Sequence, residues 1–223
     1  MADNIQEIIA KRAATELLDG EIINLGIGIP TLISKYVKSK RVFLHTENGM
    51  LGVEEVDENS IDPNLVNAGK LPIAEGIGAS YFNSADSFAM IRGGHVDVAV
   101  LGTLQVDQSG RIANWAVPGK NIIGVGGAMD LLVGAKKVIV TTTHTSKDGK
   151  SKILKNCTFP LTSTRSVDLI ITELAVFKPL DGQLSLIELM PGVTLEEVYA
   201  KTEAEFIVSM EEGLTLTRSL RSN

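Results

Sequence analysis

The chain has 223 residues, 44% of them hydrophobic and 22% charged, the balance of a globular domain large enough to bury a core of its own. Its net charge of −6 comes with acidic and basic residues interspersed and no basic stripe, which argues against nucleic-acid binding; Arg218 and Arg221 are too few to alter that. A lone cysteine, Cys157, leaves no internal disulfide to form and fits a reducing compartment, and no apolar run reaches membrane-spanning length, so the expectation is a soluble, cytoplasmic protein without a membrane contact.

The first residues carry the pattern of neither a signal peptide nor an Arg-rich transit sequence. Asn4 as cap, Glu7 three residues on, and Ile5, Ile8, Ile9, Ala13 and Leu17 at helical spacing predict an amphipathic helix that Gly20 stops. Ile22 to Leu25 reads as a short buried strand running into Gly26-Ile27-Gly28-Ile29-Pro30, with Pro30 placed to open a helix. Val42 to Leu44 is a second strand candidate, followed at once by His45-Thr46-Glu47-Asn48-Gly49. Glu54 to Asn64 has the polarity of a surface loop, and Ser84 to Ile91 that of a short helix ended by Gly93-Gly94. Val96 to Leu101, apolar on both faces except at Asp97, has the pattern of a central parallel strand. Val138 to Val140 and Leu169 to Ile171 are shorter runs of the same kind, Leu184 to Leu189 is a further strand, and Thr194 caps a late helix to Ala200. Strands and helices alternate without a linker or a repeat. The fold class that follows is α/β: one domain over residues 1–223, a mostly parallel open sheet flanked by helices, with its working loops at the carboxyl ends of the strands.

Three glycine-bearing loops follow strand candidates. Gly26-Ile27-Gly28 sits where backbone N–H groups cradle anions, but it lacks the third glycine of a dinucleotide fingerprint, and a plain tight turn explains it as well. Gly124-Val125-Gly126-Gly127-Ala128 follows Pro118-Gly119-Lys120 and puts four small residues in five positions. That composition suits close approach of a substrate to the main chain, or simply a compact loop against a helix. It lacks the Gly-Lys-Ser/Thr ending of a phosphate loop. Glu47 precedes Asn48-Gly49, a strong turn former, so it is either an exposed turn carboxylate or a nucleophile lifted above a sheet at a sharp bend. His45, His95 and His144 have no metal-ligand spacing with one another or with Cys157, so no metal site is expected; Cys157 reads as a buried or half-buried small hydrophobe. His45 shares a side with Glu47 only if the strand continues through it.

Together these segments resemble the B (beta) half of the 3-oxoacid CoA-transferase family, the type I CoA-transferases. The resemblance rests on Asn24-Leu-Gly-Ile-Gly-Ile-Pro-Thr31, Thr46-Glu-Asn-Gly-Met-Leu-Gly52, Val66-Asn-Ala-Gly69 and Ser87-Phe-Ala-Met-Ile-Arg-Gly-Gly-His95. It continues through Leu101-Gly-Thr-Leu-Gln-Val-Asp107, Ala113-Asn-Trp-Ala-Val-Pro-Gly-Lys120, Gly124-Val-Gly-Gly-Ala-Met-Asp-Leu131 and Thr172-Glu-Leu-Ala-Val-Phe177, almost the whole chain in order. Thr46 stands where the family usually has Ser, and Val53 to Asp57 and Glu75 to Ile77 depart from its pattern; these departures bear on substrate identity rather than reaction type.

The resemblance implies a CoA-transferase fold with Glu47 as the covalent nucleophile, passing through a glutamyl-CoA thioester, and with coenzyme A as a substrate and no cofactor. It further implies oxyanion donors at the Gly126 and Gly127 backbone, Gly127 foremost, a turn held by Asn48 and Gly49, and a cleft lined by Gly26 and Gly28. The expected partner is the A (alpha) CoA-transferase polypeptide, in an A₂B₂ heterotetramer. The expected substrates are acyl-CoA and short carboxylic acids: a 3-oxoacid such as acetoacetate, with succinate, acetate or butyrate. The alternatives are an acyl-CoA hydrolase of related fold, a sugar-phosphate isomerase, for which only Arg92 and Lys120 lie near the loops, and a non-catalytic structural subunit.

Overall fold

The computed structural model describes residues 4–37, 41–57, 59, 61–119, 122 and 124–210; Lys120, Arg218 and Arg221 lie outside them. Helix α1 (Ile5–Ala14) is capped by Asn4, whose side chain accepts from the N–H of Gln6, and it buries Ile9, Ala10, Ala13 and Ala14. Strand β1 (Ile22–Leu25) leads into a 3₁₀ helix, Ile29–Tyr36, with Pro30 in its first turn. Then come β2 (Phe43–Thr46), β3 (Met50–Glu54), β4 (Ala74–Tyr81), α2 (Ser84–Arg92) and β5 (Val98–Gly102). The two short strands β6 (Gln105–Asp107) and β7 (Ile112–Ala113) precede α3 (Ala128–Gly134) and β8 (Lys137–Thr141). The described residues end with β9 (Ile153–Leu154), β10 (Leu169–Ile171), β11 (Ala175–Leu180), β12 (Gln183–Leu189), α4 (Leu195–Lys201) and β13 (Phe206–Val208). Thr194 caps α4 by accepting from the N–H of Glu197.

One 10-stranded sheet organises the chain, in the order β13-β12-β11-β10-β8-β5-β1-β2-β3-β4, and β7-β6-β9 form a small second sheet. The middle of the large sheet, β10-β8-β5-β1-β2, is parallel throughout. Antiparallel ribbons finish both margins, β3 and β4 on one side and β11 and β12 on the other, with β13 returning parallel to β12.

The parallel middle follows from its sequence. Side chains alternate across a strand, so a strand covered on both faces is apolar at every position. In β5, Val98 and Val100 join one core with Ile9, Ala13, Leu17, Ile33 and Ile139, while Ala99 and Leu101 join the opposite core with Ile91, Leu132, Val138 and Ile170. The sheet is thus sandwiched between α1 with the 3₁₀ helix on one side and α2 with α3 on the other. Asp97, the one charge in that run, lies just before β5; its carboxylate accepts from the N–H of Ile22 at 2.8 Å and meets Lys136 at 2.7 Å.

Because β1, β2 and β5 are parallel, their carboxyl ends lie along one edge. Gly26, Glu47 and Thr103 follow these strands directly, and α3 begins at the same edge.

Candidate active site

Strand β2 runs further than the apolar run suggests, through His45 and Thr46, and pairs His45 with Leu51 and Thr46 with Met50. Residues 46–49 form the connecting turn, closed by the N–H of Gly49 donating to the Thr46 carbonyl at 3.0 Å. Gly49 has φ 128°, and an added Cβ would land on the Phe82 carbonyl, so only glycine fits there. Glu47 is the first residue after the strand and therefore stands above the sheet.

The turn is fastened from outside. The Thr46 hydroxyl donates to Asn48 Oδ1 at 2.7 Å and accepts from the N–H of Ala68 at 3.1 Å, while Asn48 Nδ2 donates to the Val66 carbonyl at 2.8 Å. A serine hydroxyl would meet the same two partners, so the Thr46 departure keeps the function of the side chain intact. The stretch from Val66 to Gly69 grips the turn in this way, and its Asn67, Ala68 and Gly69 line the cleft.

That cleft has a volume of about 1220 Å³ and lies at the carboxyl ends of β1, β2 and β5. Glu47, Gly26, Gly126 and Gly127 all line it. A Cβ on Gly127 would sit 3.3 Å from Glu47 Cγ and 3.4 Å from its Oε1, so the glycine loop and the carboxylate are in direct register. Gly124 and Gly126, at φ 95° and 53°, bend this loop in conformations that L side chains avoid. The Ala128 N–H is taken by the Val125 carbonyl, whereas no group among the described residues accepts the N–H of Gly126 or Gly127.

The structure separates the two glycines of the first loop: the anion-cradle alternative fails at Gly26, which lines the cleft, and the lining expectation for Gly28 needs correction. Gly26 donates its N–H to the Val100 carbonyl at 2.8 Å, continuing the β1–β5 ladder, so it has no donor left for an anion. Gly28 is not among the residues lining the cleft; at φ 93° it turns the chain into the 3₁₀ helix instead. Asn48 and Gly49 hold the turn rather than line the cavity.

Asn24 is the residue that sequence reasoning passed over. It is 1% exposed, and its Nδ2 reaches Glu47 Oε2 at 3.1 Å, His45 Nδ1 at 3.2 Å and the His45 carbonyl at 3.3 Å. Its Oδ1 is buried with no partner among the described residues. A polar residue inside the apolar run Ile22-Ile23-Asn24-Leu25 was the available signal. His45 Nε2 lies 3.1 Å from Ser87 Oγ, and the ring stacks on Phe82 at 5.9 Å. Burial pushes the imidazole down to about 4, so it is neutral at neutral pH.

The cleft carries Lys35 as a basic residue, alongside Glu54 and Glu55. Arg92, needed by a phosphate-binding alternative, is tied to Asp130 at 2.6 Å and does not line the cavity. The two departures from the family pattern prove to be neighbours: Val53 pairs with Glu75 across β3 and β4, Val53 to Val56 line the cleft, and Tyr81 donates to Glu75. Cys157 is half-buried, and burial together with Asp107 pushes its thiol up to about 12, which suits an inert side chain. Among the described residues, no cluster of His, Cys, Asp and Glu is arranged to hold a metal ion, and no helix is long and apolar enough to cross a membrane.

The coenzyme A transferase family model matches residues 6–201. The chain belongs to the coenzyme A transferase family. It is 54% identical over 207 residues to the beta chain of the acetate CoA-transferase of Haemophilus influenzae, covering 92% of this chain and 93% of that one. It is 52% identical to the B chain of the succinyl-CoA:3-ketoacid coenzyme A transferase of Helicobacter pylori, covering 92% of this chain and all of the relative. Among solved structures, the apoenzyme of an acyl-CoA transferase from Escherichia coli O157:H7 matches with a TM-score of 0.75 at 26% identity over 92% of this chain. The chain spans 42% of that longer protein, which has also been solved as a thioester complex with CoA.

Proposed function

We propose that this chain is the B-type half of a cytoplasmic enzyme that moves coenzyme A between short carboxylic acids, with Glu47 as the covalent carrier. The carboxylate of Glu47 attacks the thioester carbonyl of the donor acyl-CoA. The C–S bond breaks, giving a mixed anhydride and the CoA thiolate. The thiolate then attacks the glutamyl carbonyl and expels the donor acid as its carboxylate, leaving a glutamyl-CoA thioester. The acceptor carboxylate runs the two steps in reverse. The overall reaction exchanges one thioester for another, and Glu47 and the two substrates supply the nucleophiles and leaving groups of every step, so the proposed route calls on no metal or organic cofactor, and two separable exchanges mean ping-pong kinetics.

The observation that carries this reading is the register of Glu47 against Gly127 inside the cleft. Both acyl-transfer steps generate a tetrahedral oxyanion, and the N–H groups of Gly126 and Gly127, which meet no acceptor among the described residues, are suited to meet one beside the carboxylate. Asn24 holds the other carboxylate oxygen. The names of the relatives, each a B or beta chain, support a separate A (alpha) partner, which we place in an A₂B₂ assembly. The same names, one with acetate and one with succinyl-CoA and a 3-ketoacid, support acetate, succinate and a 3-oxoacid as substrates; acetoacetate as that 3-oxoacid, and butyrate as a further acid, are part of the proposal. The thioester complex of the E. coli protein supports the covalent step.

The test is the intact mass of this chain, co-purified with its alpha partner, after exposure to acetoacetyl-CoA without an acceptor. The expected result is a gain equal to CoA less one water, absent in Glu47→Ala. Free CoA released steadily without any acceptor would instead identify a hydrolase.

A further inference from the structure

We propose that His45, anchored by Ser87, is a positioning residue that fixes the Asn24 amide so that its N–H groups, and not its oxygen, face Glu47. The inference rests on the reading of Glu47 as the nucleophile.

Asn24 and His45 are register partners on the parallel strands β1 and β2, so their side chains emerge on the same face, side by side. Asn24 Nδ2 has two hydrogens and three acceptors around it: Glu47 Oε2, His45 Nδ1 and the His45 carbonyl. An amide nitrogen offers no lone pair, so the contact with Nδ1 requires that ring atom to accept. The single proton of the neutral ring then sits on Nε2 and is donated to Ser87 Oγ at 3.1 Å. Ser87 is wholly buried on α2, and Phe82 stacks on the ring at 11° between planes, so the imidazole is held in place and orientation.

The cost of this arrangement is visible in the buried Oδ1 of Asn24, which meets no donor among the described residues. A side chain serving packing alone would gain by turning its oxygen toward a donor. Here both N–H groups are committed to acceptors, and the oxygen is left over. That asymmetry is what a fixed donor for the Glu47 carboxylate needs. Without the ring nitrogen, the amide keeps only Glu47 and one carbonyl to orient it, and its other rotamer sets oxygen against carboxylate.

The experiment is a double-mutant cycle on the complete enzyme with its alpha partner, reading kcat and KM for His45→Leu, Asn24→Ala and the pair, alongside melting temperature. Loss of one charge-assisted hydrogen bond corresponds to a fall in kcat of about tenfold to hundredfold. We expect such a fall in His45→Leu with KM unchanged, and no further fall when His45→Leu is added to Asn24→Ala, because His45 acts through Asn24. His45→Gln, which keeps an acceptor for Asn24 and a donor for Ser87, is expected to restore kcat to within about threefold of the parent. Multiplicative losses in the cycle, or equal losses in His45→Gln and His45→Leu, overturn the proposal while the glutamyl-CoA adduct of the parent enzyme stands. Absence of that adduct in the parent overturns both readings together.

Discussion

The side chain of Glu47 and the backbone of Gly127 lie within van der Waals contact of a single missing methyl group: a Cβ at 127 would meet Glu47 Cγ at 3.3 Å and Phe88 Cε1 at 3.5 Å. Glycine at this position is therefore a matter of space. Its backbone, at φ −79° and ψ −2°, is one that any residue adopts.

Side chains at 127 accordingly separate activity from folding. Gly127→Ala crowds the carboxylate by a few tenths of an ångström, and Gly127→Val displaces it. Since a misplacement of about 1 Å costs on the order of 10² in rate, we expect kcat to fall about tenfold in the first and beyond 10² in the second. Neither substitution strains the backbone, so melting temperature should hold nearly constant. A fully active Gly127→Val would show that the loop does not approach Glu47 during turnover.

Much of this arrangement is legible in the sequence. The apolar runs of β1, β5, β8 and β10 announce a parallel, doubly covered sheet, and the Asn48-Gly49 turn after β2 marks Glu47 as raised at a strand end. The edge strands are silent for a physical reason. β4, Ala74–Tyr81, has two glycines, and Ile77 on it is fully exposed, so no alternation of apolar residues marks it as a strand. Ser87 is equally silent, since a serine in a short helix has nothing local to show that it is buried against a histidine on a neighbouring strand. The approach of Gly127 to Glu47 depends on how α3 docks at the sheet edge, which no spacing in the sequence reports.

Thr46 gives a test of the turn's external fastening. Its hydroxyl links the Ala68 N–H to Asn48 Oδ1. Thr46→Ser keeps both bonds and should retain activity within about twofold. Thr46→Val leaves a half-buried N–H and an amide oxygen without their partner, a loss of about 1–3 kcal/mol. Urea denaturation should show that difference between the two variants, with the fall in kcat confined to valine.

Gly49 tests the turn from inside. At φ 128°, with the Phe82 carbonyl occupying the space of a Cβ, Gly49→Ala meets both strain and overlap. Strain of this kind alone costs on the order of 1–3 kcal/mol. The expected result is a clear drop in melting temperature together with loss of turnover, unlike Gly127→Ala, where activity falls alone. Equal stability of Gly49→Ala and the parent would mean that the turn adopts another conformation.

The two buried histidines make stability fall on the acid side. Burial pushes His45 to about 4, and burial, helped by Lys201, pushes His144 to about 4, both from an ordinary 6.5. The unfolded chain therefore takes up protons that the folded chain refuses. Stability from each group is complete above about pH 6.5 and is lost as pH falls through that value toward 4. Both side chains are shut away from solvent, at 3% and 0% exposure, so the loss is on the order of 3 kcal/mol for each. Urea midpoints between about pH 7.5 and about pH 4.5 should trace this decline. His144 is held by the hydroxyls of Thr172 at 3.0 Å and Thr202 at 2.9 Å, does not line the cleft, and could be replaced by a glutamine amide serving both hydroxyls. His144→Gln should thus remove about half of the acid slope while leaving the transferase reaction at neutral pH intact. An unchanged slope in that variant would move the acid lability onto other groups, with Glu16 next in line: although burial alone would raise its carboxyl, Lys137 and Arg12 hold it below the ordinary value, and its contribution is lost only at lower pH, below about 4.5.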